Sequence, residues 1–118
     1  RYLASRYDQM LKDLLVTLPW QDPDTYSAYH LYVIRLHLDQ LKKSRRQIFE
    51  ELRAAGINVN VHYIPVHTQP YYERLGFKSG DFPEAEAYYC EAITLPLYYG
   101  LSEEDQDYVI GRLREIIR

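Results

Sequence analysis

The sequence contains little of several features that would by themselves indicate a function. Its single cysteine, Cys90, cannot form an internal disulfide, which favours a reducing, cytoplasmic location. Only 5 glycines occur in 118 residues, and none belongs to a glycine-rich phosphate loop. No apolar run approaches the roughly 18 residues of a membrane span. The sequence therefore argues against a disulfide-stabilised fold, a P-loop nucleotide site and a membrane-spanning helix.

The net charge of the chain does not indicate a function either. The chain has 14 basic and 17 acidic residues, a net charge of -3, and this argues against a nucleic-acid binder that relies on phosphate attraction. The length suits one domain with one core. Because the chain starts at Arg1 rather than at a methionine, we expect it to be part of a longer polypeptide.

Tyrosine is the abundant residue, with 13 copies. Many stand in pairs: Tyr71-Tyr72, Tyr88-Tyr89 and Tyr98-Tyr99. The ring is apolar and its tip is polar, so tyrosine suits surfaces that are partly wet and partly buried. Two interpretations stay open: a small core filled with amphipathic residues, or rings that pack against another domain or subunit.

The hydrophobic pattern predicts an α+β domain with about three strands and helices packed on them. The clearest helix begins at Ser44, where serine followed three residues later by Gln47 forms a capping box, and it ends at Gly56. The predicted helices are 2–17, 44–55, a turn at 71–75, 82–91 and a last helix capped by Ser102, and the predicted strands are 29–38, 57–63 and 93–97.

Polar side chains are concentrated where the strand 57–63 runs into a proline-bracketed loop at 64–70. The donors and acceptors there are those of His62, Tyr63, His67, Thr68 and Gln69. Two histidines are too few for a zinc site, and no Cys-x-x-Cys is present. A rigid strand-end loop favours contact with a polar ligand such as a sugar or a carboxylate, although histidines with purely structural roles remain an alternative.

Other reactive residues have simpler structural explanations. Cys90 lies on a predicted amphipathic helix and is expected to be buried and inert rather than a nucleophile. We expect Arg35, on a strand, to form a salt bridge within the domain.

Several motifs in order resemble those of the DegT/DnrJ/EryC1/StrS aminotransferases. Residues 44–57 read SRRQIFEELRAAGI and residues 61–72 read VHYIPVHTQPYY, which are similar to the family's arginine-opened helix, Gly-Ile pair and His-Tyr-x-Pro-x-His segment. YHLYV at 29–33, GDFPEAE at 80–86 and TLPL at 94–97 resemble further family segments. Within the family, the sequence at 67–72 leans towards the branch that aminates UDP-linked 4-keto-6-deoxy-hexosamines in pseudaminic acid or related glycan biosynthesis.

The resemblance implies the small C-terminal domain of a fold-type I transaminase. Residues 1–17 would be the connector helix and 27–118 the small-domain core, and the catalytic large domain would be absent. It implies that the substrate cleft is lined by Val61, His62, Tyr63, Ile64, Pro65, His67 and Gln69. No catalytic, cofactor-binding or metal-binding residue is assigned to this chain.

The resemblance also implies the partners. In the family, pyridoxal 5'-phosphate is held as a Schiff base by a large-domain lysine, glutamate is the usual amino donor, with 2-oxoglutarate as its product, and the enzyme is a homodimer. The implied partners are thus the large domain of the same polypeptide, a second subunit, a UDP-linked sugar and glutamate. The alternatives are a free-standing sugar-nucleotide-binding module and a protein-interaction module.

Overall fold

The computed structural model describes all of residues 1–118 and confirms the α+β class: helices pack on a three-stranded antiparallel sheet. The elements are α1 (Tyr2–Leu11), β1 (Val16–Thr17), β2 (Tyr32–Leu36), α2 (Arg45–Ala54), α3 (Pro70–Arg74), α4 (Pro83–Glu91), β3 (Ala92–Leu95) and α5 (Glu103–Ile116), with a 3-10 turn at Val66–Thr68. None of the helices combines the length and the apolar character needed to cross a membrane.

Strand β2 lies in the centre of the sheet and gives it two different faces. It pairs with β1 on one side and with β3 on the other, in the order β1-β2-β3. In the β2–β3 pair, Ile34 lies opposite Ile93 and Val33 lies opposite Thr94. Because successive side chains of a strand point to opposite faces, Ile34 and Ile93 share one face, the core face, and Val33 and Thr94 share the other, the outer face.

The core face carries the hydrophobic core. A cluster of 18 buried residues joins this face to α1, α2 and α5. Two buried tyrosines belong to it, and both hydroxyls are satisfied: Tyr7 donates to the Pro96 carbonyl at 2.7 Å and Tyr32 donates to Asp8 at 2.6 Å. Burial raises the pKa of both tyrosines, so they stay neutral hydrogen-bond donors.

Helix α2 begins and ends where the sequence predicts. The Ser44 hydroxyl accepts from the Gln47 N–H at 3.2 Å, and the Gln47 side chain accepts from the Ser44 N–H at 2.8 Å, which is a complete capping box. At the other end Gly56 has a φ of 82°, and the Ile57 N–H donates to the Leu52 carbonyl at 3.0 Å. This left-handed ending reverses the chain and directs Ile57 into the core.

One predicted strand and one predicted helix end were wrong, although the number of strands was right. Helix α1 ends at Leu11 rather than near residue 17, because Val16 and Thr17 leave it to pair with Leu36 and Arg35 of β2. The segment 57–63 alternates like a strand, yet only Asn60 pairs with the sheet, through a single bridge to Thr94. The alternation reflects the burial of Ile57 and Val59 in the core without a ladder of hydrogen bonds.

The expected burial of Cys90 was also wrong: its side chain is exposed. Helix α4, on which it lies, contacts β2 of the sheet but has no buried residue. This helix lacks a continuous apolar stripe, so a cysteine on it has no core to enter. The salt bridge expected for Arg35 is present on the same side of the sheet, where its Nε and Nη2 both lie 2.9 Å from Glu91.

We expect Ile34→Ala to destabilise the chain by about 2–5 kcal/mol, because Ile34 is fully buried in the central strand and its truncation leaves a cavity. The free energy of unfolding in urea would measure the effect. Ile64→Ala is the matched control: Ile64 is exposed, and its truncation should change stability by no more than about 0.5 kcal/mol. Equal losses in the two variants would contradict this position of the core.

Candidate functional site

The predicted site begins where the segment after α2 leaves the core. Val59 is fully buried, and the next residue, Asn60, exchanges two backbone hydrogen bonds with Thr94 at 2.7 and 3.2 Å. From α2, the Arg53 guanidinium donates to the Val59 carbonyl at 2.6 Å and to the Asn60 side chain at 3.2 Å. These contacts fix the start of the segment 61–65 relative to both β3 and α2.

His62 is held against the outer face of the sheet. Its Nδ1 lies 2.8 Å from the hydroxyl of Thr94, which is itself nearly buried. The other ring nitrogen, Nε2, has no hydrogen-bond partner within the chain and remains available to a ligand. A histidine whose orientation is fixed through one nitrogen can donate or accept through the other, as its tautomer dictates.

The residues next to His62 extend the same surface. Tyr63 is exposed, and its ring packs edge-on against His62 with centroids 4.4 Å apart. The peptide bond between these two residues is cis. Ile64 is exposed, whereas Val61 and Pro65 are half-buried. The residues 61–65 thus form a short wall with the His62 ring and the Tyr63 hydroxyl as its polar groups.

The structure does not place His67 in this wall. His67 is only 7% exposed and lies in the 3-10 turn, with its ring edge-on to Phe82 at 4.9 Å. It lines a groove of about 400 Å³ to which none of residues 61–65 contributes. Gln69, the last predicted residue, is exposed and begins α3 with its backbone carbonyl.

Glu86 was not predicted from the sequence, yet it holds this second region together. Its carboxylate accepts from the Ser79 hydroxyl at 2.7 Å and from the Gly80 N–H at 2.9 Å. These hydrogen bonds, Ser79 first, hold the pKa of Glu86 below its usual 4.5. The His67 Nε2 is 3.6 Å away, close enough for attraction when the ring is protonated but beyond a normal hydrogen bond.

Thr94 and Arg53 were also missed as residues that orient the wall. Their contacts depend on the pairing of Asn60 with β3, which has no local sequence signal. The motif GDFPEAE did contain Glu86, but nothing in it shows that the carboxylate folds back on Ser79 and Gly80.

The residues of this chain do not fit a pyridoxal phosphate site. The cofactor needs a lysine amine directed into a pocket. Lys43 instead donates to Glu51 at 2.7 Å, and the other three lysines are exposed. No group of three metal-ligating side chains is close enough to hold a metal ion. The residues of this chain therefore do not form a cofactor or metal site by themselves.

The arrangement matches the corresponding part of solved sugar aminotransferases. The sugar aminotransferase Spr1654 of Streptococcus pneumoniae, solved in its PLP form, superposes with a TM-score of 0.87 at 34% identity, over 98% of this chain and 29% of that one. Helicobacter pylori PseC, an aminotransferase of pseudaminic acid biosynthesis, superposes with a TM-score of 0.86 at 27% identity, over 98% of this chain and 31% of that one.

The sequence places the chain within a family. Residues 1–114 match the DegT/DnrJ/EryC1/StrS aminotransferases, and the chain belongs to this PLP-dependent family. The spore coat polysaccharide biosynthesis protein SpsC of Bacillus subtilis is 36% identical over 98% of this chain. The chain spans about 30% of the length of the relatives that it matches. The resemblance inferred from the ordered motifs is thereby confirmed.

We expect the Glu86→Gln variant to lose a pH-dependent part of the chain's stability. Because the folded state lowers the pKa of Glu86, its ionised form stabilises the fold above pH 4.5, and this contribution is lost as the pH falls through the lowered value. The wild-type chain should therefore be more stable than the variant at neutral pH, and the difference should disappear in acid. Urea midpoints measured across this range would show it.

Glu84→Gln is the matched control, since Glu84 lies in the same helix and forms no side-chain hydrogen bond. Its difference from wild type should show no comparable loss in acid. If both variants gave the same pH profile, the stabilisation could not be assigned to the hydrogen bonds from Ser79 and Gly80.

Proposed function

We propose that this chain is the small C-terminal domain of a longer, PLP-dependent transaminase that acts on a nucleotide-linked sugar in cell-surface polysaccharide or glycan biosynthesis. The amino donor is glutamate, and the acceptor is a UDP-linked keto-deoxysugar. Pyridoxal phosphate supplies the electron sink when it is bound by the large domain. The full enzyme works as a cytoplasmic homodimer, and the 118-residue chain alone is inactive.

One observation carries this proposal: the chain matches sugar aminotransferases over 98% of its own length but only about 30% of theirs, and it contains no residue suited to the cofactor. A domain with that relation to its relatives supplies part of a site. The similarity to PseC supports a role in glycan biosynthesis, and the UDP-linked sugar is what the resemblance of residues 67–72 implies.

The part supplied is one wall of the cleft, centred on residues 61–69. The free Nε2 of His62 and the exposed hydroxyl of Tyr63 are placed to bind a sugar hydroxyl or a carboxylate. Val61, Ile64 and Pro65 give the wall apolar surface, and Gln69 adds an exposed amide at its far end. His67, being buried, contributes by holding the loop in place.

A protein-interaction module is the second candidate, because aromatic residues are exposed along 71–82. A free-standing sugar-nucleotide-binding module is the third. Titration of the chain with UDP-sugars separates these cases. Tight binding would indicate a complete binding module, whereas a domain that holds half a cleft binds weakly.

The complete coding sequence tests the proposal directly. We expect a large domain with a Schiff-base lysine upstream of Arg1, and the purified product should convert glutamate to 2-oxoglutarate when a UDP-linked 4-keto-6-deoxy-N-acetylhexosamine is supplied. A gene that encodes no such domain would overturn the proposal. A product that transaminates only sugars without a nucleotide would overturn the UDP-linked substrate and leave the reaction class intact.

In that enzyme we expect His62→Ala to impair turnover more than folding. Loss of one hydrogen bond to the substrate costs about 1.5 kcal/mol, so kcat/KM should fall about tenfold. Steady-state kinetics and the thermal midpoint would be measured together. His30→Ala serves as the control, since His30 is exposed and lies outside the wall. Wild-type activity in the His62→Ala enzyme would count against the wall as a substrate contact.

A further inference from the structure

The hydroxyl of Thr94 forms a single hydrogen bond in the chain, with the Nδ1 of His62 at 2.8 Å. Thr94 is only 6% exposed, and its backbone is held by the pairing with Val33 of β2 and by the bridge to Asn60. Because the residue is nearly buried and its backbone is fixed, the His62 ring is the partner on which this hydroxyl depends. The direction of this hydrogen bond therefore decides what the ring presents to the cleft.

The two possible directions differ in what they leave unpaired. If Thr94 donates to Nδ1, its hydroxyl hydrogen is paired, and the neutral His62 ring carries its own proton on Nε2. If Nδ1 donates instead, the threonine hydrogen has no acceptor in a nearly buried position, and its lost hydration is not replaced. Buried donors in proteins are nearly always paired, so the first direction is favoured.

The outward nitrogen of His62 is then a donor in both charge states of the ring. In the neutral ring that accepts from Thr94 the proton lies on Nε2, and in a protonated imidazole both nitrogens carry protons. His62 is half-buried, and the Tyr63 ring packs edge-on against it at 4.4 Å, which restricts its rotation. The Nε2–H group is thus a hydrogen-bond donor with a fixed position and direction.

We propose that Thr94 is a positioning residue of the transaminase, which fixes His62 as a hydrogen-bond donor and makes this part of the wall select a ligand oxygen that accepts. The oxygen belongs to the glutamate carboxylate or to the UDP-linked sugar. A site built around a fixed donor rejects a ligand that lacks the acceptor, because the donor is then left unpaired. The inference rests on the proposed function and adds the direction of the hydrogen bond and the residue that sets it.

A second contact between threonine and histidine supplies the matched control. The Thr17 hydroxyl lies 2.9 Å from the Nε2 of His37, but Thr17 is exposed. Water can pair with whichever hydrogen that contact leaves free, so burial does not fix its direction. Thr17→Val therefore removes the same kind of contact without the constraint that acts on His62.

Solid-state NMR of the full polypeptide from the complete gene, with ¹⁵N-labelled histidine rings, reads the tautomer at about pH 8.5, where an ordinary imidazole is neutral. The His62 signals are those that disappear in His62→Gln. We expect an Nε2–H ring in the wild type and in Thr94→Ser, a mixture of tautomers in Thr94→Val, and no change at His62 in Thr17→Val. An Nδ1–H ring in the wild type, or an unchanged ring in Thr94→Val, would overturn the proposal.

Steady-state kinetics of the same variants test the consequence for recognition. Thr94→Val should lower kcat/KM for glutamate or for the UDP-linked sugar by about three- to tenfold, the range that corresponds to one hydrogen bond. The substrate whose value falls is the one whose oxygen His62 binds. Thr94→Ser should recover most of the loss, and Thr17→Val should change neither value. Wild-type values for both substrates in Thr94→Val would count against the positioning role.

A double variant distinguishes positioning from a general structural effect. Because Thr94 acts through the His62 ring, adding Thr94→Val to His62→Ala should cause no further loss of kcat/KM. Losses that multiply would show that Thr94 acts independently of the ring and would contradict the proposal.

The spectrum and the kinetics also separate this inference from the proposed function. An Nε2–H ring that responds to Thr94→Val, in a polypeptide with no transaminase activity, supports the control of His62 by Thr94 and contradicts the function. Active enzyme in which the His62 tautomer does not depend on Thr94 overturns the inference and leaves the function standing.

Discussion

The pairing of β2 with β3 is the interaction on which the rest of the structure depends. It sets Ile34 opposite Ile93 and Val33 opposite Thr94, and thereby assigns every side chain of the two strands to the core face or to the outer face. A slip of one residue would exchange the two faces, placing Thr94 in the core and Ile93 outside. The fold and the candidate site are therefore specified by a single register, because the core face stabilises the domain and the outer face orients His62 through Thr94.

Thr94 takes part both in the pairing of the sheet and in the orientation of His62. Its backbone is bonded to Asn60, which fixes the chain entering the wall, and its hydroxyl contacts the His62 ring at the wall's centre. The position of the ring is thus set by the strand, with little dependence on the loop that follows. A recognition group placed on a rigid element keeps its geometry better than one that depends on a loop alone.

Local signals in the sequence were sufficient for the elements that carry their own stop and start residues. The capping box at Ser44, the left-handed ending at Gly56 and the serine cap of α5 all lie where the sequence predicts them. Pairing between segments that are distant in sequence could not be predicted in this way. Residues 57–63 and 16–17 both offer apolar, β-branched side chains, and only the position of β2 decides that Val16 pairs along its edge while Val59 packs in the core. For the same reason, His62 and His67 looked equivalent in sequence but differ in burial and in surroundings.

The two sides of this domain differ in how far their aromatic side chains are buried, and tyrosine is found on both. The core side is closed: its apolar residues are buried against one another, and its buried tyrosine hydroxyls are paired within the chain. The segment 66–91 is more exposed: neither of its helices has a side-chain cap or a buried residue, and several of its aromatic rings contact one another. Tyrosine serves both sides, since its ring packs in a core when the hydroxyl finds an acceptor and remains compatible with water when it does not. The 13 tyrosines therefore include buried rings of the core and exposed rings on the surface, and the packing of the exposed rings against another domain or subunit stays a prediction.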